Sequence, residues 1–325
     1  MRRFIAAALM VALSVPALVS CGDSASDDGS DAGAGGTVPV TFAALSIAQA
    51  APLVLGEKRG IFKDNGIDFK IEFVEPAAVI PGVVSGQYDV GLLNAPAVLA
   101  ARANKVPVKS VATASATTGD PADFPIQIVV PVGSAIRSPK DLVGKKVATD
   151  TLYQLPDLGM RSSLMASGVD PKSLDIVEIP FPDMGTALRE GKVDAAAISE
   201  PFGTILRDSG AIRDLLSTSI GQPEGSPQSV IVSSERYIGK NPNVIAKFQK
   251  AVDEALKYAA THDDEMRATL PGFTKLDAKL AAAIRFVPPS GDDTLEGWQA
   301  WADILVKTGV VKAPIDVKAA YVPVG

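Results

Sequence analysis

Cysteine and histidine are almost missing from this chain: Cys21 and His262 stand alone among its 325 residues. One histidine and no second cysteine cannot close a tetrahedral zinc shell, and no disulfide can brace the fold. Basic residues are outnumbered, 31 against 37 acidic, which gives a formal net charge of −6 that becomes −8 once Arg2 and Arg3 leave with a leader. Such a balance disfavours nucleic-acid binding. Aromatic residues are few, at 6%. Catalytic signatures are also missing: there is no G-x-S-x-G and no S-x-x-K. Gly144-Lys145-Lys146 is not a phosphate loop, because no glycine stands five positions before Gly144 and no Ser or Thr follows Lys145.

Apolar residues run together only at the start. Arg2 and Arg3 precede a stretch from Phe4 to Val19 broken only by Ser14 and Pro16, which reads as a signal peptide and is short for a membrane span. It ends in Leu18-Val19-Ser20-Cys21, which resembles the bacterial lipobox and implies cleavage before Cys21 and thioether lipidation of its sulfur. Gly22 to Gly36 contains only Gly, Ser, Ala and Asp. That composition cannot bury enough apolar surface to order itself and reads as a flexible tether. The expected layout is a leader over 1–20, a lipidated cysteine with linker over 21–37, and a body held outside the cell membrane by its acyl anchor.

Within the body one unit occurs twice. Ser85-Gly86-Gln87-Tyr88-Asp89-Val90-Gly91-Leu92-Leu93-Asn94-Ala95-Pro96 aligns without gaps on Glu190-Gly191-Lys192-Val193-Asp194-Ala195-Ala196-Ala197-Ile198-Ser199-Glu200-Pro201. Each copy predicts a helix ending at glycine, a two-residue step to Asp, a short apolar strand, and a polar residue opening the next helix. Strands alternating with helices predict two α/β lobes with mostly parallel sheets. The strands fall at Val38–Leu45, Asp68–Val74, Val90–Leu93 and Val108–Ala114, then at Ile126–Val130, Lys146–Ala148, Leu174–Ile179 and Ala195–Ile198. Ser229–Ser233 returns the chain to the first lobe, and everything after it reads as helical. Lobe 1 is thus 38–125 plus 226–325 and lobe 2 is 126–225.

Ala51-Pro52-Leu53-Val54-Leu55-Gly56-Glu57-Lys58-Arg59-Gly60-Ile61-Phe62-Lys63-Asp64-Asn65-Gly66-Ile67 resembles the opening of the sulfonate, nitrate, taurine and thiamine-precursor binding proteins of ABC importers. Ser138 to Ala148 and Val193 to Phe202 are similar to that family's entry into its second lobe and exit from its inner strand. The resemblance implies a type II periplasmic-binding-protein fold: two Rossmann-like lobes joined by a hinge, with a helical C-terminal tail packing on the first. It also implies a small-molecule solute, a permease with its ATPase as partners, a monomer, and no cofactor. The eukaryotic pyrimidine-synthesis enzymes that resemble this family use an active-site histidine and cysteine. Neither is available here, and the expectation is a binding protein, with a ligand-sensing adaptor for a membrane receptor and, behind it, an enzyme on the same fold as the alternatives.

Ligands of such sheets bind where strand carboxyl ends meet helix amino ends. The loops there supply Ser46, Gln49, Asn94, Thr113, Ser115, Thr149, Asp150, Thr151, Asp183 and Glu200 as candidate ligand contacts. These loops contain no Lys or Arg, so a buried Glu200 requires a donor from elsewhere. A neutral or amine-bearing heterocycle supplies one. Glu200 also suits an acid at the start of its own helix, and Asn94 suits an N-cap. Asp89 and Asp194 read as turn residues, Trp298 and Trp301 as one packing face, Asp292 and Asp293 as an exposed turn or a hard-cation site, and His262 as solvated. Cys21→Ala is expected to release the protein from the membrane fraction while leaving solute affinity intact, as fractionation and a binding titration would show.

Overall fold

The computed structural model describes residues 36–274 and 276–322. Cys21, the leader and residues 21–35 of the linker lie outside the described residues. Ten strands form two five-stranded sheets. They are β1 (Val38–Ala44), β2 (Ile67–Phe73), β3 (Val90–Asn94), β4 (Val108–Ala116), β5 (Gln127–Pro131), β6 (Lys146–Thr149), β7 (Asp175–Glu178), β8 (Ala195–Ile198), β9 (Ile212–Ser217) and β10 (Pro227–Ser234). Between them lie α1 (Ala51–Lys58), α2 (Ile61–Asp64), α3 (Pro76–Ser85), α4 (Ala95–Ala103), α5 (Leu155–Ala166), α6 (Phe181–Arg189) and α7 (Phe202–Asp208). After β10 come α8 (Glu235–Lys240), α9 (Pro242–Thr261), α10 (Asp263–Thr269), α11 (Pro271–Thr274), α12 (Ala278–Ala283) and α13 (Leu295–Lys307).

The first sheet has the order β2-β1-β3-β10-β4 and the second β7-β6-β8-β5-β9. In both, the three inner-edge strands are parallel and a strand arriving from the other sheet lies antiparallel beside them: β10 against β3, and β5 against β8. The duplication seen in sequence is thus a duplication of topology. It extends to individual hydrogen bonds. Asp89 Oδ2 accepts from Thr41 N at 2.8 Å and Asp194 Oδ2 accepts from Lys146 N at 2.9 Å, each 48 residues back along the chain. The Asp89 and Asp194 backbone N–H groups donate in return to Thr41 O and Lys146 O.

The two connections between sheets are bonded to each other. Thr117 N donates to Ser226 O at 2.9 Å, Gly225 N donates to Thr117 O at 2.9 Å, and Thr218 Oγ1 donates to Ile126 O at 3.0 Å. These paired segments, 117–126 and 218–226, stand where the expected hinge lies. Around the first sheet, α9 packs on α1 and β4, and α13 packs on α4. Trp298 and Trp301 are fully buried in the latter cluster, and their indole N–H groups donate to Asp293 Oδ2 and Pro227 O. Leu158 of α5, from the second lobe, joins the same cluster.

The structure differs from the sequence expectation in two places. β9 was not foreseen: Ile212–Ser217 carries only partial burial in its middle and shows no clean alternation. The tail is not helical throughout. Residues 284–294 form a strap along the hinge, where Pro289 bridges Ser115, and Ser110 N donates to Ala320 O where the last described residues return to β4. α13 approaches the hinge closely at Gly297, where an added Cβ would lie 2.4 Å from Ser226 Cα and 2.6 Å from Gly225 O. Backbone cannot yield as a side chain can. Gly297→Ala is therefore expected to cost roughly 1–3 kcal/mol, read as a lowered melting temperature.

Candidate functional site

The carboxyl ends of β3 and β6 bring the two lobes together. Asn94, the last residue of β3, accepts from Ala97 N at 2.9 Å and so caps α4, while its Nδ2 donates across the cleft to Gln154 Oε1 at 3.3 Å. One side chain is thus both an N-cap and a polar group on the cleft. Gln154 closes the loop that follows β6 and stands immediately before α5. The loop is tightly made: Leu152 N donates to Glu178 Oε1, and Tyr153 N donates to Asp157 Oδ2. Tyr153 has a left-handed φ of 64°, uncommon for a residue with a bulky side chain. Its half-exposed ring lies against the Arg161 guanidinium.

Thr149 and Asp150 open this loop, and their polar atoms are not satisfied. Thr149 is fully buried and its Oγ1 has no hydrogen-bond partner; Asp150 Oδ1 is buried and likewise unpartnered. Burial pushes the Asp150 carboxyl above the usual carboxylate range, and the neighbouring Asp157 charge adds to the push. The backbone N–H groups of Thr151 and Asp150 and the Thr149 hydroxyl lie near enough to oppose it, without closing a hydrogen bond on Oδ1. Buried polar groups in proteins are nearly always paired, so two orphans side by side are candidate contacts for a ligand.

Glu200 has the opposite environment. Its side chain is 1% exposed, Oε2 accepts from Thr204 N at 3.0 Å, and Oε1 accepts from Arg207 Nη1 at 2.9 Å. The donor that the sequence assigned to a solute comes from Arg207 of α7, seven residues farther on. The candidate loops do lack Lys and Arg, but the helix behind one of them sends a guanidinium back. Burial works against Arg207, but hydrogen bonds and charge from Asp214 and Glu200 together raise its pKa. Glu200 therefore needs no donor from an amine-bearing solute.

The remaining candidates divide. Thr113 and Ser115 lie within β4, which runs to Ala116, and their hydroxyls are engaged: Thr113 Oγ1 donates to Asp293 Oδ2 at 2.6 Å and Ser115 Oγ accepts from Ser229 N at 3.3 Å. Asp293 also accepts from Trp298, so it staples the strap to the first lobe. Ser46 is exposed and Gln49 half-buried on the turn into α1; Thr151 and Asp183 are exposed, the latter in the first turn of α6. Gln154, Tyr153 and Arg207 were missed by sequence reasoning. Gln154 and Tyr153 had a findable signal, as polar and aromatic residues between a predicted strand and a helix. His262 is at the α9–α10 junction, its ring stacked on Tyr258, away from these loops. A recess of about 870 Å³ between α5, α13 and residues 315–318 is lined by none of the expected residues.

Residues 47–266 match the model of the NMT1/THI5-like family. The chain belongs to this family. Among NMT1/THI5-like relatives, the taurine-binding periplasmic protein of Escherichia coli is 25% identical over 70% of this chain and 68% of its own. The formylaminopyrimidine-binding protein of Halalkalibacterium halodurans is 24% identical over 78% of each. The family also contains yeast enzymes: the 4-amino-5-hydroxymethyl-2-methylpyrimidine phosphate synthase THI5 of Saccharomyces cerevisiae is 25% identical over 64% of this chain and 62% of its own. The crystal structure of the periplasmic aliphatic sulphonate binding protein SsuA from Escherichia coli superposes with a TM-score of 0.75 at 18% identity, covering 87% of this chain and 96% of that one. The two-sheet architecture is therefore the periplasmic-binding-protein fold that the sequence led us to expect.

Removing Glu200 strips a half-buried guanidinium of one of its two carboxylates. Glu200→Ala and Arg207→Ala are each expected to destabilise the fold by about 3 kcal/mol, and their double variant by less than the sum. Urea unfolding of the three variants measures this; a Glu200→Ala protein as stable as the parent would return Glu200 to the solute.

Proposed function

We propose that this chain is the solute-capturing component of an ABC importer. It is an extracytoplasmic protein, tethered through lipidated Cys21, that closes two lobes (38–125 with 226–325, and 126–225) on a small organic solute and presents it as a monomer to the permease and its ATPase. The observation that carries the reading is the pair of unsatisfied groups at the head of β6, Thr149 Oγ1 and Asp150 Oδ1. They sit on the loop whose Gln154 reaches Asn94 of the other lobe, so a solute held there would touch both lobes.

A half-buried carboxylate whose free oxygen is itself buried suits a solute bearing an amino or other donor group. The amine preference thus survives with Asp150, and not Glu200, as its source. Taurine and formylaminopyrimidines, named for two relatives, both carry such donors. The hydroxyl of Thr149 can either donate or accept, and so serves a second polar atom of the same solute.

Catalysis is not part of the reading. A hinge bonded to itself and a cleft lined by Asn94, Thr149, Asp150 and Gln154 provide polar contacts without a paired nucleophile and base. The lone histidine is committed to Tyr258, its Nδ1 2.9 Å from Tyr258 O.

The test is a thermal-shift panel of taurine, an aminopyrimidine, an alkanesulfonate and nitrate, where a solute at a hundredfold excess over Kd adds about 2.7 kcal/mol. Asp150→Asn should weaken an amine-bearing solute more than tenfold. Its effect on the unliganded protein has a definite sign. The folded pKa of Asp150 is raised above the unfolded one, so the folded state holds the proton more tightly. Stability therefore falls as pH rises from the usual carboxylate range through the raised value. The Asn variant escapes this loss, so at pH near 7 it should melt higher than the parent, and the gap should close in acid. A shift with nitrate or sulfonate alone, or an Asp150→Asn protein of unchanged affinity, would sink the amine reading.

A further inference from the structure

Four charged side chains run in series from the cleft to the tail. Glu200 Oε1 accepts from Arg207 Nη1 at 2.9 Å, Arg207 Nε donates to Asp214 Oδ1 at 2.8 Å, and Arg285 Nη1 donates to Asp214 Oδ2 at 2.8 Å. The first three groups belong to the second lobe: the loop after β8, then α7, then β9. Arg285 does not. It stands on the strap that follows α12, beside Ile284, which is buried in the first lobe with Ala48, Ala51 and Leu55. The strap is fixed there by Arg267, whose Nη1 donates to Ile284 O at 2.7 Å.

Burial decreases steadily along the series, with side-chain exposures of 1% for Glu200, 19% for Arg207, 28% for Asp214 and 36% for Arg285. The inner members are shielded from solvent, and each carboxylate oxygen of Asp214 takes one guanidinium. By contrast, the other ion pair along this flank, Lys279 with Asp208 at 3.3 Å, is 80% and 59% exposed. Pairs that exposed contribute little.

We propose that Arg285 is a positioning residue: through Asp214 and Arg207 it latches the tail of the first lobe to the Glu200 loop of the second. A contact between lobes exists only in arrangements that bring them together, so it favours those arrangements in proportion to its strength there. The hinge lies on one side of the cleft, with Leu158 in the same buried cluster as Trp298. Arg285–Asp214 supplies a polar clasp outside that apolar cluster. Because Arg207 holds Glu200 and Asp214 at once, opening the clasp also removes a neighbour from the charge that braces the cleft loop.

The latch can be read without any solute, so its outcome is independent of the solute-capture reading. Lys63 on α2 and Lys172 beside β7 are exposed, one on each lobe. In a Cys21→Ala background they become Lys63→Cys and Lys172→Cys, carrying nitroxide labels for pulsed electron paramagnetic resonance. Arg285→Ala is expected to move the interlobe distance distribution to longer values, with the ratio of open to closed forms rising roughly two- to tenfold. Raising NaCl from about 0.05 M to about 1 M should move the parent the same way and leave the variant nearly unaltered. Arg285→Lys, which retains the charge, should restore most of the closed population, whereas Lys279→Ala should resemble the parent. The proposal is overturned if Arg285→Ala keeps the parent distribution, or if Lys279→Ala opens the lobes as far. Arg285→Lys also keeps the test decisive should the Ala variant fold poorly: a lysine protein indifferent to salt would count against the latch.

Discussion

Everything at the cleft depends on the register of one strand in each lobe, and a carboxylate fixes it. β3 begins at Val90 opposite Phe42, so the N–H of Thr41, one residue earlier on β1, has no strand partner on that side. Asp89 supplies the acceptor, and Asp194 does the same for Lys146 N at the start of β6. An N–H left unpaired is costly in the part-buried setting of Thr41 and less so at exposed Lys146, so both aspartates favour one register and Asp89 does so more strongly. A slip of a single residue would reverse which side chains face the core. The register then dictates where each strand ends, and hence that Asn94 caps α4 at the cleft and that Ser199 and Glu200 stand before α7.

The same duplicated geometry explains why the lobes can be linked twice without knotting. Each connection enters the opposite sheet antiparallel, beside its central parallel strand, as β5 does beside β8 and β10 beside β3. The two passages therefore run side by side and bond to each other through Thr117, Gly225 and Thr218. The constraint on the hinge is also why Gly297 must be glycine-sized.

Much of this was legible. The Gly-x-x-Asp step, the apolar quartet and the following polar residue were read twice, and their structural meaning is local: a helix end, a turn, a short strand. The family resemblance extended the reading to the fold. What escaped depends on contacts distant in sequence. β9 is recognisable only from β5 beside it. The strap over 284–294 breaks an apparently helical tail because Pro288 and Pro289 lack N–H groups and lie along β4, where Ser115 offers a bridge. Thr113 and Ser115 were expected at a loop and were found inside a strand, since the Ser/Thr-rich run 113–118 hides the boundary at Ala116.

The two acids at the strand ends of the second lobe show why residue type alone does not identify a site. Glu200 and Asp150 both follow inner strands and precede helices. Glu200 is answered from within, by a backbone N–H and by Arg207 one and a half turns along α7, so its burial is compensated before any solute arrives. Asp150 precedes a longer loop, and the helix beyond it begins with another acid, Asp157, which is itself committed to Tyr153 N and Arg161. The Arg161 guanidinium is thus spent, and the like charge of Asp157 adds to the cost of ionising Asp150. Spacing decides the difference: an arginine seven residues after Glu200 returns to it, whereas Arg161, eleven after Asp150, stops at Asp157. A protein could have removed the Asp150 penalty with an asparagine. Retaining a carboxylate with a free oxygen at the mouth of β6, beside a loop that reaches across the cleft, is a cost to the unliganded fold, and on the proposed reading a donor-bearing solute relieves it.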